Sequence, residues 1–294
     1  MRKCLLLLLF IGLLLPAQTV AEEINLTPTP MQITMSTGKL ALPSSFTIAT
    51  GSLDEKESYE AQKFANDLTA VTGFSVNVKK ESSDALIKMS QYNGNEELGA
   101  EGYTLNITDK IEISANEAAG FYFAFQTVKK LLPACVMAGV KDESVTEFAL
   151  PKLSIVDAPR FEYRGFMLDV SRHYFDTKEI KRMLDVMSYY KMNRFHWHLV
   201  DDQGWRIEID KYPKLTTIGA TRSNSWNVDH VYGGYYTNEP YGPYFYTKEE
   251  AKEIVAYARS VTLRLFPRLS SPDTPALLLQ HIPNSAAPPT AATA

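Results

Sequence analysis

Residues 164–210 read RGFMLDVSRHYFDTKEIKRMLDVMSYYKMNRFHWHLVDDQGWRIEID, and this stretch decides the fold. The apolar run at 166–170 predicts a buried parallel strand, and residues 193–199 predict a second strand. Between them, Asp176 and Glu179 form a capping-box pattern that begins an amphipathic helix. Strand, helix and strand in this order are typical of a parallel α/β barrel.

The loops that follow the two predicted strands carry ionisable side chains. Residues 171–173 (Ser-Arg-His) follow the first strand, and Asp201 and Asp202 follow the second. In a parallel barrel these loops lie at the C-terminal ends of the strands, where active sites are built. We therefore expect the functional site to lie here.

Composition narrows the class of protein. The chain has 294 residues, of which 45% are apolar and 22% charged, as in ordinary soluble globular proteins. The net charge of −4, with no basic run beyond the N-terminus, argues against nucleic acid as a partner. Only Cys135 lies beyond the N-terminal segment, so no intrachain disulfide is expected in a mature chain.

The N-terminal segment has the pattern of an export signal. Residues 1–21 combine a basic start, a leucine-rich run and small residues at their end, which predicts a secretory signal peptide. The apolar run is shorter than the ~20 residues of a membrane-spanning helix, so no membrane span is expected after cleavage. These features predict a periplasmic or secreted protein.

The rest of the chain divides into two folded sections. Residues 22–157 alternate short strand-like segments with amphipathic helices at 58–70 and 118–132, which predicts an N-terminal α+β accessory domain. A linker is predicted near 156–159. Residues 158–260 then contain two βα units and part of a third. The predicted fold class is an α+β N-terminal domain followed by the first part of a (β/α)8 TIM barrel.

Several ionisable side chains could carry chemistry, and each has a plainer interpretation. His196 and His198 alternate along a strand and could bind a metal, but no further ligands complete the set, so both could simply be hydrogen-bonded interior residues. Asp201 and Asp202 could act in acid–base chemistry, accept hydrogen bonds from sugar hydroxyls or cap a turn. Arg172 could clamp a pair of hydroxyls or form an ion pair at the barrel rim.

A long aromatic loop is predicted from about residue 212 to residue 246. Trp205, Trp226 and the tyrosines of 232–246 could stack on sugar faces, or they could only pack this loop. Of the two alternatives, packing of the loop is the safer interpretation.

Two sequence motifs carry a family resemblance. The segments PRFEYRGFMLDVSRHYF (159–175) and KMNRFHWHLVDDQGWRIEIDKYPKL (191–215) resemble the family 20 glycoside hydrolases, the exo-β-N-acetylhexosaminidases. GFYFAFQTVKKLLP (120–133) is similar to the last helix of that family's N-terminal domain, so the resemblance covers most of residues 25–258. It implies removal of terminal β-linked N-acetylglucosamine or N-acetylgalactosamine from glycans. The implied mechanism is retaining and substrate-assisted, with no cofactor and no metal.

The resemblance also implies roles for individual residues. Arg172 and Asp201 match the residues that hold the 3- and 4-hydroxyls of the terminal sugar. The family's catalytic Asp-Glu pair, in a Gly-Gly-Asp-Glu setting, has no counterpart in this sequence. No catalytic residue is therefore assigned, and the sequence is interpreted as a hydrolase truncated before its catalytic pair and inactive as it stands. The alternative is a non-catalytic carbohydrate-binding remnant.

The last segment does not continue the barrel pattern. Residues 261–266 could form a strand, but beyond Pro267 the sequence is rich in Ala, Pro, Ser and Thr and loses periodicity. Allowed codons for 264–274, read from their third base, can encode Val-Ile-Pro-Glu-Ile-Glu-Phe-Pro-Gly-His, which resembles the family at this place. We therefore interpret 261–294 as an aberrant tail that follows a one-base frame change near residue 260.

Overall fold

The computed structural model describes residues 24–92, 98–227 and 233–268. The predicted signal peptide (1–21) and the predicted tail from residue 269 onward lie outside these residues. Within the described ranges, no helix combines the length and the apolar character needed to span a bilayer.

A seven-stranded mixed sheet forms the N-terminal section. Its strands are β1 (Gln32–Ala41), β2 (Ser45–Ala49), β3 (Ser75–Lys79), β4 (Ile87–Gln91), β5 (Tyr103–Ile107), β6 (Ile111–Ala115) and β7 (Ala149–Asp157). Their spatial order is β1-β7-β5-β6-β4-β2-β3. The helices are α1 (Glu55–Thr72), α2 (Ala118–Leu131) and α3 (Ala134–Ala138), which confirms the two helices predicted at 58–70 and 118–132.

Strand β7 was not predicted, and the predicted linker is wrong at its first two residues. Val156 and Asp157 pair with Thr104 and Tyr103 of β5 in an antiparallel ladder. The connection to the next section therefore begins at Ala158. Hydrogen bonding to a strand some 50 residues earlier decided this, and local composition could not show it.

Helix α2 joins the two sections of the molecule. Its residues Gly120 to Val128 are all buried, because the helix has neighbours on every side. The Tyr122 hydroxyl hydrogen-bonds the Ser188 hydroxyl on the first helix of the barrel section. Lys191, also in the barrel section, donates to Tyr103 and to Asp157 of the sheet at 2.8 and 2.7 Å.

Among the residues that the structure describes, the barrel section has three parallel strands. They are β8 (Gly165–Asp169), β9 (Arg194–His198) and β14 (Arg264–Arg268), in the spatial order β14-β9-β8. Helix α4 (Thr177–Tyr189) connects β8 to β9, and α6 (Lys248–Ser260) precedes β14. The short elements between β9 and α6 are β10 (Val200–Asp201), β11 (Gly204–Trp205), α5 (Lys214–Thr217), β12 (Trp226–Asn227) and β13 (Tyr235–Tyr236).

The helix starts follow the sequence signals. The Asp176 carboxylate accepts from the Glu179 backbone N–H at 2.8 Å, and the Glu179 carboxylate accepts from the Asp176 N–H at 2.9 Å. A second capping box, Thr247 with Glu250, begins α6. The capping box predicted at Asp176 is thus confirmed, and it places the loop after β8 directly before a fixed helix start.

One expectation for the barrel strands needs correction. Phe166 and Met167, predicted to be buried, are 39% and 51% exposed, because β8 has β9 as its single neighbour in the described sheet. The possible strand at 261–266 is present as β14, at residues 264–268, and it continues this sheet parallel to β9. Pro267 is tolerated there because β14 is an edge strand in the described part of the chain.

Candidate functional site

The structure brings together the two residues predicted to bind a sugar. Arg172 follows β8 and Asp201 lies in β10, just after β9. Because β8 and β9 are adjacent and parallel, their C-terminal ends lie side by side. The Arg172 Nη1 and Asp201 Oδ2 atoms are 2.7 Å apart, and the two side chains remain 44% and 28% exposed. The pair is therefore preformed and open to solvent.

Asp169, which the sequence analysis did not single out, completes the setting of Arg172. Its Oδ2 lies 2.7 Å from Arg172 Nη1. Its Oδ1 accepts from the backbone N–H groups of Ser171 and Arg172 at 2.9 and 3.2 Å. A carboxylate at the last position of a barrel strand is the signal that could have identified it. Asp169 thus fixes both the loop and the guanidinium of Arg172.

His198 holds the other member of the pair. Its Nε2 lies 2.9 Å from Asp201 Oδ2 and 3.4 Å from Arg172 Nη1. Since an arginine nitrogen only donates and a carboxylate only accepts, we assign the proton to His198 Nε2, which donates to Asp201. The prediction of a hydrogen-bonded interior histidine is confirmed for His198.

The surroundings of Asp201 keep it ionised. Burial alone would raise the pKa of Asp201, but the Asp202 backbone N–H, His198 and Arg172 together lower it below its ordinary value of 3.8. The Asp202 N–H donates to Asp201 Oδ1 at 2.9 Å. Asp201 is therefore a charged hydrogen-bond acceptor at neutral and mildly acidic pH.

His196 differs from His198. Its ring centroid is 6.1 Å from that of His198. Burial, then His198 and Arg268, lower the pKa of His196, and its Nε2 has no hydrogen-bond partner among the described residues. The plainer interpretation does not hold for this nitrogen. Across the described ranges, no group of three or more His, Cys, Asp or Glu side chains is placed to hold a metal ion.

A buried arginine supports the loops around the site. Arg206 is fully buried, and burial lowers its pKa to about 10, which leaves it charged at neutral pH. Its guanidinium donates to four backbone carbonyls: Val170 at 3.1 Å, Ser171 at 2.7 Å, Ala220 at 2.8 Å and Tyr244 at 2.9 Å. These carbonyls belong to the loop after β8 and to two parts of the long loop before α6. Arg206 therefore ties the segment that carries Arg172 to the aromatic loop.

The aromatic side chains of the loop divide between packed and exposed positions, so the packing alternative holds only for part of them. Tyr246 is fully buried, and its ring lies 4.7 Å from that of Trp197 and 4.8 Å from that of Tyr174. The Arg222 guanidinium lies over the Tyr241 ring, 4.0 Å from its centroid. Trp226, by contrast, is 49% exposed.

Comparison with known families and structures now identifies the chain. Residues 23–158 match "Glycosyl hydrolase family 20, domain 2", and residues 161–293 match "Glycosyl hydrolase family 20, catalytic domain". The chain belongs to glycosyl hydrolase family 20. The family resemblance and the predicted fold class, an α+β domain followed by the first part of a TIM barrel, are both confirmed.

Relatives of known name support this assignment. The beta-hexosaminidase of Porphyromonas gingivalis is 36% identical over 255 residues, which cover 85% of this chain and 30% of that protein. The N,N'-diacetylchitobiase of Vibrio harveyi is 34% identical over 84% of this chain and 27% of its own length. The chain thus spans about 30% of the length of these relatives.

Solved structures show the same relationship. The Streptomyces plicatus N-acetyl-beta-hexosaminidase superposes with a TM-score of 0.70 at 31% identity, over 84% of this chain and 46% of that one. The GH20 exo beta-N-acetylglucosaminidase from Vibrio harveyi, in complex with N-acetylglucosamine, has a TM-score of 0.67 at 29% identity, over 82% of this chain and 35% of that one.

Proposed function

We propose that this chain forms the sugar-recognition part of a hydrolase that removes terminal non-reducing β-linked N-acetylglucosamine or N-acetylgalactosamine from glycans. The observation that carries the proposal is the open Arg172–Asp201 pair, 2.7 Å apart at the ends of two neighbouring barrel strands. A hydroxyl both donates and accepts hydrogen bonds, so a guanidinium beside a carboxylate suits two adjacent hydroxyls of one sugar. The names of the family 20 relatives support the choice of an N-acetylhexosamine.

The same proposal assigns a reaction to the whole enzyme. The acetamido oxygen of the substrate attacks the anomeric carbon and retains its configuration, as in the substrate-assisted exceptions to the two-carboxylate scheme. An Asp-Glu pair would orient the acetamido group and protonate the leaving oxygen. The 294 residues contain no Gly-Gly-Asp-Glu segment. We therefore expect these residues alone to bind the sugar without cleaving it, which is also the behaviour of a carbohydrate-binding remnant.

Sequencing of source DNA across codons 255–295 distinguishes the truncated hydrolase from the carbohydrate-binding remnant. A gained or lost base that restores Pro-Gly-His and a later Gly-Gly-Asp-Glu would support the hydrolase. An unchanged reading frame with no later pair would support the remnant and would contradict the frame change.

Arg172→Lys should weaken the binding of N-acetylglucosamine by about 1–3 kcal/mol. Lysine keeps the charge but lacks the planar fork that can contact Asp169, Asp201 and a hydroxyl together. The affinity can be measured by a nuclear magnetic resonance titration, with Arg259→Lys on the exposed face of α6 as a matched control. An unchanged dissociation constant in Arg172→Lys would remove Arg172 from the site.

We also propose that the protein is exported to the periplasm or secreted. The basic start, apolar run and small residues of 1–21 support this. Mass spectrometry of the protein from its source should find a mature N-terminus close to residue 22 in the exported fraction. An intact residue 1 on protein confined to the cytoplasm would contradict export.

A further inference from the structure

Two of the exposed aromatic rings of the long loop lie against each other. Trp226 and Tyr236 are paired across the short hairpin of β12 and β13. Their ring centroids are 4.8 Å apart, with an interplanar angle of 66°. The two residues are 49% and 62% exposed. We call this exposed pair the aromatic ledge.

The base of the hairpin is fixed by hydrogen bonds. The Ser225 N–H donates to the Thr237 hydroxyl at 2.9 Å, and the Thr237 N–H donates to the Ser225 carbonyl at 2.8 Å. The Arg222 Nε donates to the Ser225 hydroxyl at 2.9 Å. Trp226 and Tyr236 are therefore the direct neighbours of Ser225 and Thr237, whose positions these hydrogen bonds fix.

The same anchor reaches the loop of the sugar site. Arg222 Nη1 donates to the Gln203 carbonyl at 3.4 Å, two residues beyond Asp201. The Tyr241 ring lies under the Arg222 guanidinium, and the Tyr241 hydroxyl accepts from the Tyr174 N–H at 2.8 Å, two residues beyond Arg172. The hairpin is thus connected through Arg222 and Tyr241 to both loops that carry the sugar-binding pair.

The chemistry of the ledge suits an uncharged sugar ring. The stretches 223–227 and 233–238 contain Ser, Asn, Thr, Gly, Trp and Tyr and no charged side chain, although Arg222 and Glu239 border them and Asp229 and His230 lie between them in sequence. The guanidinium of Arg222 is held by Ser225 and the Tyr241 ring. The C–H face of a pyranose packs on an aromatic face, while hydroxyl and amide side chains hydrogen-bond its edge. A nucleic acid or an acidic lipid surface would instead require basic residues beside the rings.

We propose that Trp226 and Tyr236 form a second saccharide subsite, which stacks a sugar unit beyond the terminal residue held by Arg172 and Asp201. This inference rests on the proposed function and specifies the substrate as an oligosaccharide or glycan chain. The anchored hairpin makes the affinity for such a chain higher than that for the monosaccharide.

The test compares two ligands on the full chain, N-acetylglucosamine and its β-1,4-linked tetramer, by calorimetric or nuclear magnetic resonance titration. Trp226→Ala should weaken tetramer binding about 3- to 10-fold and leave monosaccharide binding unchanged. Tyr236→Ala should also weaken tetramer binding and leave monosaccharide binding unchanged. Tyr235→Ala is the matched control, because Tyr235 pairs with Asn227 and faces the other side of the same hairpin. Equal thermal melting of the variants confirms that they are folded.

The outcomes separate the subsite from the proposed function. Equal effects of Trp226→Ala on both sugars, or none on either, would overturn the subsite while leaving the Arg172–Asp201 site in place. Tetramer binding that needs Trp226 but survives Arg172→Ala, with no monosaccharide binding, would support the ledge and overturn the proposed site. A wild-type chain that binds neither sugar overturns both. Binding to phosphatidylcholine vesicles that is lost in Trp226→Ala, without tetramer binding, would assign the ledge to lipid.

Discussion

Arg206→Met is expected to lower the free energy of unfolding by at least about 3 kcal/mol. Methionine can fill part of the space of the arginine side chain, but it donates no hydrogen bonds. The four carbonyls that Arg206 now satisfies would remain in a water-poor region without donors, and each unsatisfied group costs about 1–3 kcal/mol. The three loop segments that these carbonyls hold together would also lose their common partner.

Urea unfolding of the parent and variant chains measures this effect. Arg206→Lys should fall between them, because lysine keeps the charge but cannot reach four carbonyls with one nitrogen. Gly204→Ala gives an independent check, since a Cβ at this position would lie 2.2 Å from Arg206 Nη2 and force the guanidinium to move. Arg259→Met on exposed α6 is the matched control. A loss below about 1 kcal/mol in Arg206→Met would contradict the role assigned to Arg206.

Asp201→Ala is expected to weaken N-acetylglucosamine binding by about 2–3 kcal/mol. The variant removes the charged acceptor that we propose for a sugar hydroxyl and leaves the His198 Nε2–H without its Asp201 partner. It also removes one of the two carboxylates that contact Arg172 Nη1 and leaves the other, Asp169, in place. All three changes reduce the preorganisation of the site, so the loss exceeds that of one neutral hydrogen bond.

The pKa of Asp201 sets how the binding loss in Asp201→Ala depends on pH. Because the pKa of Asp201 is lowered in the folded chain, the carboxylate stays charged until the pH falls below 3.8. The interactions of the charged form are present above the ordinary pKa and are lost as the pH falls through the folded value. The loss in Asp201→Ala should therefore be the same at pH 7 and pH 5. Asp210→Ala, in an exposed ion pair with Lys248, is the matched control. A difference that disappears at pH 5 would contradict the assigned ionisation state.

Local sequence was sufficient for the elements that local interactions form. The capping boxes begin α4 and α6 where the pattern of side chains places them. The positions of Arg172 and Asp201 also followed from sequence, because each directly follows a strand and adjacent parallel strands end at one edge. The ion pair between them, 29 positions apart in sequence, is seen only in the structure.

The features that the sequence did not predict depend on contacts with residues far away in the chain. Arg206 contacts carbonyls up to 38 residues away, within a loop without periodicity, and arginine is ordinarily a surface residue. The exposure of Phe166 and Met167 depends on how many strands flank β8, which an apolar run cannot show. Asp169 was missed because it was read as part of an apolar strand, although its carboxylate faces the loop that follows.

The sugar-binding role of Arg172 and Asp201 is tested most directly by a titration of N-acetylglucosamine into the isotope-labelled full chain, followed through the Arg172 Nε–H and the backbone amides of 201–203. We expect saturable shifts at these groups and their loss in Asp201→Ala, with the spectrum otherwise unchanged. Shifts that are absent from the parent chain, or that persist unchanged in Asp201→Ala, would contradict the assignment of Arg172 and Asp201 as the sugar-binding pair.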